Sequence, residues 1–330
     1  MKVFIVTLGT RGDVQPYVAL GKRLISKGHD VMICAPSSFE RFITKYGLQY
    51  GYMDNEILTL IDSDAGREAM EETSGIFGWI KTYAALAKKV KPMQTEMVHN
   101  AGDAAQQFEP DLVIYHPKAM AGPHIAEKYG VPRIMSVPLP IFTATAEFPS
   151  MVFPNLNIGG WYNKLTYTMS VKLAWLQYGS IINPWREKEL GLASAGRSFN
   201  EMELASGHPT PTIYPYSEHV VPRPADWPQN TISPGYWFLD RADNWQPPAD
   251  LQAFLDAGPA PVYIGFGSMA GKDPARKAQA AIAALQKTGQ RGLIATGWGG
   301  LNVEALPESI FKIASSNGFC GKRKLRHDRD

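Results

Sequence analysis

The stretch Phe4–Pro16, FIVTLGTRGDVQP, decides the fold class of this chain. A short apolar run ends in a Gly-rich turn that carries Arg11 and Asp13, and an amphipathic helical pattern follows over Val14–Ser26. Ligands bind at the carboxyl ends of parallel strands, which is where such a strand–turn–helix unit places its turn. Arg11 is therefore a candidate to hold a phosphate, and Asp13 is a candidate proton acceptor.

The same alternation of strands and helices continues along the chain. Apolar runs predict further strands at Val31–Ala35, Leu48–Tyr50, Asp111–Tyr115 and Arg133–Val137, separated by helical patterns. Strands that alternate with helices predict an α/β fold with a parallel sheet covered on both faces.

A second alternating unit follows, with predicted strands at Pro261–Phe266, Gly292–Thr296 and Ser309–Ala314 and a predicted helix at Ala275–Lys287. The pattern then stops. Because a doubly wound domain needs more strands than these, we expect the second domain to be incomplete.

Prolines recur across 209–248 and exclude long helices there, although Gly235–Asp240 has the pattern of one more strand. We expect a Rossmann-like domain over 1–208 and a Pro-rich interdomain segment over 209–248. A partial second domain over 249–314 and an aberrant basic tail over 315–330 complete the expected organisation.

Composition excludes several classes of partner. The net charge of +2 implies no strong electrostatic partner, and the basic tail lacks the aromatic interleaving of nucleic-acid binders, so we expect none. Two cysteines fit a reducing cytoplasm, the location we expect, and the histidines show no metal spacing. The most apolar stretch, Trp161–Trp185, is interrupted by Lys164 and Lys172, which leaves peripheral membrane contact open but no span.

Each candidate residue also has a simpler structural explanation. Asp13 is either a base or an N-cap of the following helix, and Gly265–Ser268 is either a second phosphate loop or a plain turn. His116, which ends a predicted strand near Lys118, is either a proton-transfer group or a hydrogen-bonded edge residue. The aromatic residues of 138–183 either cover the core or line an adaptable apolar pocket.

Several motifs in order give the chain a family resemblance. The chain resembles inverting glycosyltransferases of the GT-B fold that use nucleotide sugars. The resemblance lies in the opening Gly9–Pro16 and in the segments Tyr115–Lys118, Val220–Pro228, Gly235–Asp240 and Gly265–Met269. The nearest branch comprises sterol glucosyltransferases and glycopeptide-antibiotic glycosyltransferases, whose N-terminal domain is of the family 28 type. The resemblance extends from Met1 to about Ala314.

This resemblance implies two Rossmann-like domains, the first holding the acceptor and the second the nucleotide sugar. It implies that Asp13 deprotonates an acceptor hydroxyl, which attacks the anomeric carbon with inversion and without a metal. UDP-glucose is the implied donor, and a sterol, lipid or other bulky apolar alcohol is the implied acceptor. The implied donor contacts are Thr10, Arg11, Gly12, Gly267 and Ser268, and the implied acceptor contacts are His116, Phe142, Trp161 and Trp175.

One departure from the family pattern stands out. The family carries a His-Gly-Gly-x-Gly-Thr segment that contacts the donor diphosphate, and this sequence has none after Phe311–Ala314, where it should follow. A truncation, or a shifted reading frame from about Ser315, accounts for this, so we expect impaired transfer. The alternative is a catalytically dead module that binds an apolar ligand, or a gene remnant.

Overall fold

The structure is a computed structural model that describes residues 1–62, 75–240, 246–265, 274–295 and 306–313. The described residues fall into two compact units. The first contains residues up to 61 and those from 75 to 240, and the second contains those from 246 onward.

A seven-stranded parallel sheet forms the centre of the first unit, in the order β3-β2-β1-β4-β5-β6-β7. Its strands are β1 (Lys2–Val6), β2 (Asp30–Pro36), β3 (Gln49–Met53), β4 (Leu112–Tyr115), β5 (Arg133–Ser136), β6 (Thr212–Ile213) and β7 (Thr231–Ile232). The order reverses between β1 and β4, and an α/β sheet opens its ligand crevice at such a reversal. The predicted α/β class is confirmed.

Helices cover this sheet: α1 (Arg11–Ile25), α2 (Glu40–Thr44), α3 (Glu56–Asp62), α4 (Gly75–Phe108), α5 (Gly122–Tyr129) and α6 (Gly160–Trp185). A single π-helical turn, Arg186–Leu190, follows α6 directly. Helix α5 ends at Gly130, whose φ of 64° is the left-handed conformation that glycine adopts without strain.

The core of the first unit lies on the central strands. All of Val3–Val6 and Val31–Ala35 is buried, as expected for parallel strands packed on both faces. Helix α1 packs closely on this layer at Gly21, where a Cβ atom would lie 2.6 Å from Leu48 Cδ2. Only a glycine fits this contact without displacing Leu48.

The second unit has a three-stranded parallel sheet in the order β10-β9-β8, with helices α7 (Ala249–Asp256) and α8 (Pro274–Lys287). Its strands are β8 (Val262–Gly265), β9 (Gly292–Ala295) and β10 (Ile310–Ile313). Successive residues of a strand point to opposite faces of the sheet, so neighbouring residues of β9 belong to two core clusters. Leu293 packs with Leu251 of α7, and Ile294 packs with Leu285 of α8. These strands and α8 were predicted, α7 was not, and the tail 315–330 lies outside the described residues.

The Pro-rich segment differs from its prediction. The strand expected at Gly235–Asp240 is wrong: that stretch has no strand, and its Tyr236 and Phe238 side chains are exposed. Instead β6 and β7, two residues each, extend the first sheet from within 209–248. Flanking prolines keep both strands short, so neither has a readable alternation.

Candidate active site

Asp13 lies in the first turn of α1, where this helix leaves the carboxyl end of β1. Its Oδ2 accepts the backbone N–H of Thr10 at 2.8 Å, and Thr7 Oγ1 donates to its carbonyl at 2.7 Å. The N-cap is Thr10, and Asp13 occupies the third helical position. The alternative of Asp13 as the N-cap is therefore wrong, although its carboxylate supports the helix start as an N3 acidic residue does.

Gly9 makes room for this carboxylate. Its φ is 139°, and a Cβ atom there would lie 2.1 Å from Asp13 Oδ2. Any other residue at position 9 would displace the Asp13 side chain or the turn. The sequence Gly-Thr-Arg-Gly-Asp thus folds to present one carboxylate at the switch point of the sheet.

Two residues after β4 complete the surroundings of Asp13. Its Oδ1 lies 3.2 Å from Lys118 Nζ and 3.6 Å from His116 Nε2. They meet because β1 and β4 are parallel neighbours, so the chain segments that follow them emerge at the same edge. The Asp13 side chain is 15% exposed, whereas that of His116 is 2% exposed. A solvent-borne hydroxyl can therefore approach the carboxylate but not the imidazole.

The protonation of His116 follows from its contacts. Its Nδ1 accepts the backbone N–H of Lys118 at 3.1 Å, so the neutral ring carries its proton on Nε2, facing Asp13. Burial, aided by the nearby Lys118 ammonium and opposed by Asp13, lowers the pKa of His116 to about 3. The ring is therefore neutral near pH 7 and presents an N–H to the carboxylate.

The predicted donor contacts sit at the start of α1. Thr10 is its N-cap, and Arg11 is fixed there: its Nε donates to Gln15 Oε1 at 2.9 Å, and its guanidinium carbon lies 5.0 Å from the centre of the Phe42 ring. Gly12 is exposed. The donor-contact role of these three stays a prediction, and Gly267 and Ser268 lie outside the described residues.

Two adjoining cavities in the first unit bear on the predicted acceptor contacts. The larger has a volume of about 400 Å³, and Phe142 is in its lining. Trp175 lines the smaller, with its ring centre 4.6 Å from that of Phe199. Val171 and Phe199 line both, so the cavities share a wall.

The other two predicted acceptor contacts lie elsewhere. His116 faces Asp13, although the next residue, Pro117, lines the smaller cavity. Trp161 is 66% exposed at the start of α6 and lines neither of the two cavities. The acceptor-contact role of all four residues stays a prediction.

An ionic cluster beside the smaller cavity, in which Arg186 and His124 are buried and Glu127 is exposed, was not predicted. Arg186 donates to both Glu127 carboxylate oxygens at 2.7 and 2.8 Å, and its Nη1 lies 2.9 Å from His124 Nδ1. Hydrogen bonds from Arg186 lower the pKa of Glu127, and burial followed by the Arg186 charge lowers that of His124 to about 3. Arg186 lies 62 residues from His124 and 59 from Glu127 in sequence, so no spacing pattern could reveal the cluster. The cluster fixes α5, which carries the cavity residue His124.

Glu201, in the lining of the smaller cavity, is a second residue that the sequence did not reveal. Burial raises the pKa of its carboxyl to about 7, opposed by Arg133. Within the described part of the chain, no three His, Cys, Asp or Glu side chains are grouped to hold a metal ion. None of the helices described there is long and apolar enough to cross a membrane.

Comparison with known proteins shows what this chain is similar to. Residues 3–149 match the model of the glycosyltransferase family 28 N-terminal domain. The first part of the chain is thus similar to the N-terminal domain of these glycosyltransferases. It is 33% identical over 330 residues to the sterol 3-beta-glucosyltransferase of Leptosphaeria maculans, covering 96% of this chain and 22% of that protein. It is 36% identical over 307 residues to that of Neurospora crassa, covering 90% of this chain and 18% of the relative.

The glycosyltransferase-like chain thus spans about a fifth of the length of the curated relatives it matches. Solved structures agree with the predicted GT-B fold. The kitacinnamycin glycotransferase has a TM-score of 0.57 at 14% identity, with 94% of this chain and 70% of that chain covered. The spinosyn rhamnosyltransferase, solved with thymidine diphosphate, has a TM-score of 0.51 at 16% identity, with coverages of 96% and 71%. The partial coverage fits an incomplete second domain.

Proposed function

We propose that this chain carries the acceptor-binding half, and part of the donor-binding half, of an inverting glycosyltransferase. The proposed reaction moves glucose from UDP-glucose to a hydroxyl of a sterol or another bulky apolar acceptor. The observation that carries the proposal is the Asp13 carboxylate, partly exposed at the switch point and flanked by Lys118 and a neutral His116. The similarity to two sterol 3-beta-glucosyltransferases supports the proposed acceptor class.

In the proposed reaction, Asp13 takes the proton of the acceptor hydroxyl. The hydroxyl oxygen attacks the anomeric carbon, the bond to the diphosphate oxygen breaks, and the configuration inverts. The Thr10 N–H holds Oδ2, while the His116 N–H and the Lys118 ammonium orient Oδ1. His116 and Lys118 are therefore positioning residues for the carboxylate, which afterwards returns its proton to solvent.

The proposed donor site combines two loops. Thr10, Arg11 and Gly12 lie at the N-terminus of a 15-residue helix, where free N–H groups and the helix dipole favour a diphosphate. Gly267 and Ser268 are the donor contacts proposed in the second domain. Backbone dipoles and positive charge suffice for this electrostatic task, so the proposal includes no metal. The spinosyn rhamnosyltransferase complex supports a nucleoside diphosphate as ligand of the fold.

The two cavities of the first unit are the proposed acceptor site. Phe142 and Trp175 supply apolar walls there, and His116 and Trp161 complete the proposed acceptor contacts. A cytoplasmic location, suggested by the sparse cysteines, belongs to the same proposal. A second candidate function is binding of an apolar ligand without transfer. The cavities favour it because the described residues that line them all belong to the first unit.

The deciding experiment measures binding and transfer in parallel. A fluorescent sterol carried on cyclodextrin is titrated into the 330-residue chain, and sterol glucoside is quantified by mass spectrometry after incubation with UDP-glucose. The transfer assay is repeated with a form completed by the C-terminal half of the Neurospora crassa relative. Glucoside that requires Asp13 supports the transferase. Sterol binding without glucoside in the completed form favours the binding module, and failure of both overturns the proposal.

A further inference from the structure

Helix α6 carries an apolar face that the described structure leaves uncovered. Six residues of this face and of the preceding loop are between 41% and 77% exposed: Leu156, Ile158, Trp161, Leu165, Met169 and Leu176. We call these six the apolar strip. Contiguous apolar surface of this kind on a monomer marks an interaction site more often than chance exposure.

The strip occupies one side of α6, and a different side of the helix faces the larger cavity. At 100° per residue, Trp161, Leu165, Met169 and Leu176 fall within an arc of about 80°. Tyr167 and Val171 lie on a different side and line the larger cavity. Lys164, Thr168 and Lys172 of the same helix also line this cavity, so α6 contributes both polar and apolar side chains to its wall.

Charge on this segment has one sign. Residues 148–185 contain no Asp or Glu, and their two charged residues are Lys164 and Lys172. Lys164 pairs with Asp226 at 3.0 Å beside the larger cavity. Lys172 is exposed, falls within the arc of the strip and also borders that cavity, so its ammonium lies where the strip and the cavity meet. An apolar face with an exposed Trp and a lysine, and without acidic residues, has the chemistry of a helix that lies in the surface of a bilayer.

We propose that the apolar strip docks this protein on a phospholipid bilayer, with α6 lying in the plane of the interface. The strip residues insert among the headgroups and upper acyl chains, and the Lys172 ammonium contacts lipid phosphate. The larger cavity, on another side of the same helix, then lies about one helix diameter from the lipid. This places an apolar binding site within reach of molecules that reside in the membrane.

Vesicle flotation tests the proposal without donor sugar or turnover, so its outcome is separate from that of the proposed transferase. The purified chain is mixed with phosphatidylcholine vesicles, with or without one-fifth phosphatidylserine. We expect flotation with both, stronger with phosphatidylserine. The triple variant Leu165→Gln, Met169→Gln, Leu176→Gln should lose about tenfold or more in vesicle partitioning, because burial of each side chain contributes to it.

Two further variants make the test specific. Lys172→Gln should lose about fivefold on phosphatidylserine vesicles and little on phosphatidylcholine alone, since one basic residue near an anionic surface contributes about that factor. The matched control, Tyr52→Gln with Val220→Gln, changes two equally exposed apolar residues elsewhere and should float as the parent does. Circular dichroism melts establish that each variant keeps the parental fold.

Three results would overturn the proposal. The parent chain could fail to float with either vesicle, or the triple variant could float as well as the parent. The third result is a parent that is dimeric by light scattering and a triple variant that is monomeric. The strip would then be an interface between two copies of this chain rather than a lipid-binding surface.

Discussion

His116 Nε2 lies 3.6 Å from Asp13 Oδ1, in a ring that is almost fully buried and whose Nδ1 accepts the Lys118 N–H. A neutral N–H in this position orients the carboxylate without cancelling its charge, and Lys118 supplies the compensating cation at 3.2 Å. His116 therefore orients the Asp13 carboxylate, whereas Lys118 balances its charge. A substitution of either residue removes one of these two effects and leaves the other.

The burial of His116 predicts acid sensitivity. Its pKa is about 3 in the folded chain and about 6.5 when unfolded, so below pH 6.5 the unfolded state binds a proton that the folded state does not. Stability should therefore fall as the pH drops from about 6.5 towards 3, with His116 contributing on the order of 2 kcal/mol of loss at pH 5. Urea unfolding at pH 7 and pH 5 measures this difference.

His116→Gln should lose less stability than the parent between those two pH values, whatever its stability at pH 7. His219→Gln, which changes an exposed histidine, is the control and should follow the parent. If His116→Gln and the parent lose equal stability on acidification, the imidazole is not neutral in the folded chain.

Asp13→Asn tests the base. Asparagine can still accept the Thr10 N–H, so the melting temperature should change little, whereas proton transfer is lost. In the completed form, kcat should fall by about 100-fold or more, the usual contribution of a general base. A variant that keeps parental kcat would leave Asp13 with a structural role in the first turn of α1.

Gly9→Ala tests the fit around the same carboxylate. Position 9 has a φ of 139°, and the added methyl would meet Asp13 Oδ2, so both the turn and the carboxylate must move. Gly28→Ala is the matched control, since its φ is 82° and nothing lies within 4 Å of an added Cβ. Each substitution should cost about 1–2 kcal/mol of backbone strain.

Glucosyl transfer by the completed form separates the two glycine variants. Gly9→Ala should lower it about tenfold or more, because a small misplacement of a catalytic group is costly. Gly28→Ala should leave it unchanged. Equal transfer by both variants would show that the Asp13 position does not depend on Gly9.

The sequence was sufficient to predict the helices and strands whose residue pattern is local. Strands β1 and β2 are continuous apolar runs, and α8 (Pro274–Lys287) lies where a helix was predicted over Ala275–Lys287. The two-residue strands β6 and β7 join the sheet through partners distant in sequence, which local periodicity does not record. Conversely, Gly235–Asp240 has a strand-like composition but pairs with nothing in the described sheet.

The candidate site likewise contains residues that the sequence could predict and contacts that it could not. Asp13 could be singled out because glycines and a helix start surround it in sequence. Its contacts with His116 and Lys118 depend on β1 and β4 being neighbours, a fact of topology rather than of composition. The Arg186–Glu127–His124 cluster depends on how α5 meets the π-helical turn, so no short motif could announce it.

Trp161 and Trp175, both predicted from the sequence to contact the acceptor, should differ in their effect on acceptor binding. Trp175 lines the smaller cavity against Phe199, whereas Trp161 is exposed and lines neither cavity. Trp175→Ala should raise the Kd for a fluorescent sterol presented on cyclodextrin by about tenfold or more, since it removes a large apolar wall. Trp161→Ala should change that Kd less than about twofold, because a soluble carrier bypasses the membrane surface. Equal weakening by both would mean that the acceptor binds against the outer face of α6 and not in the cavities.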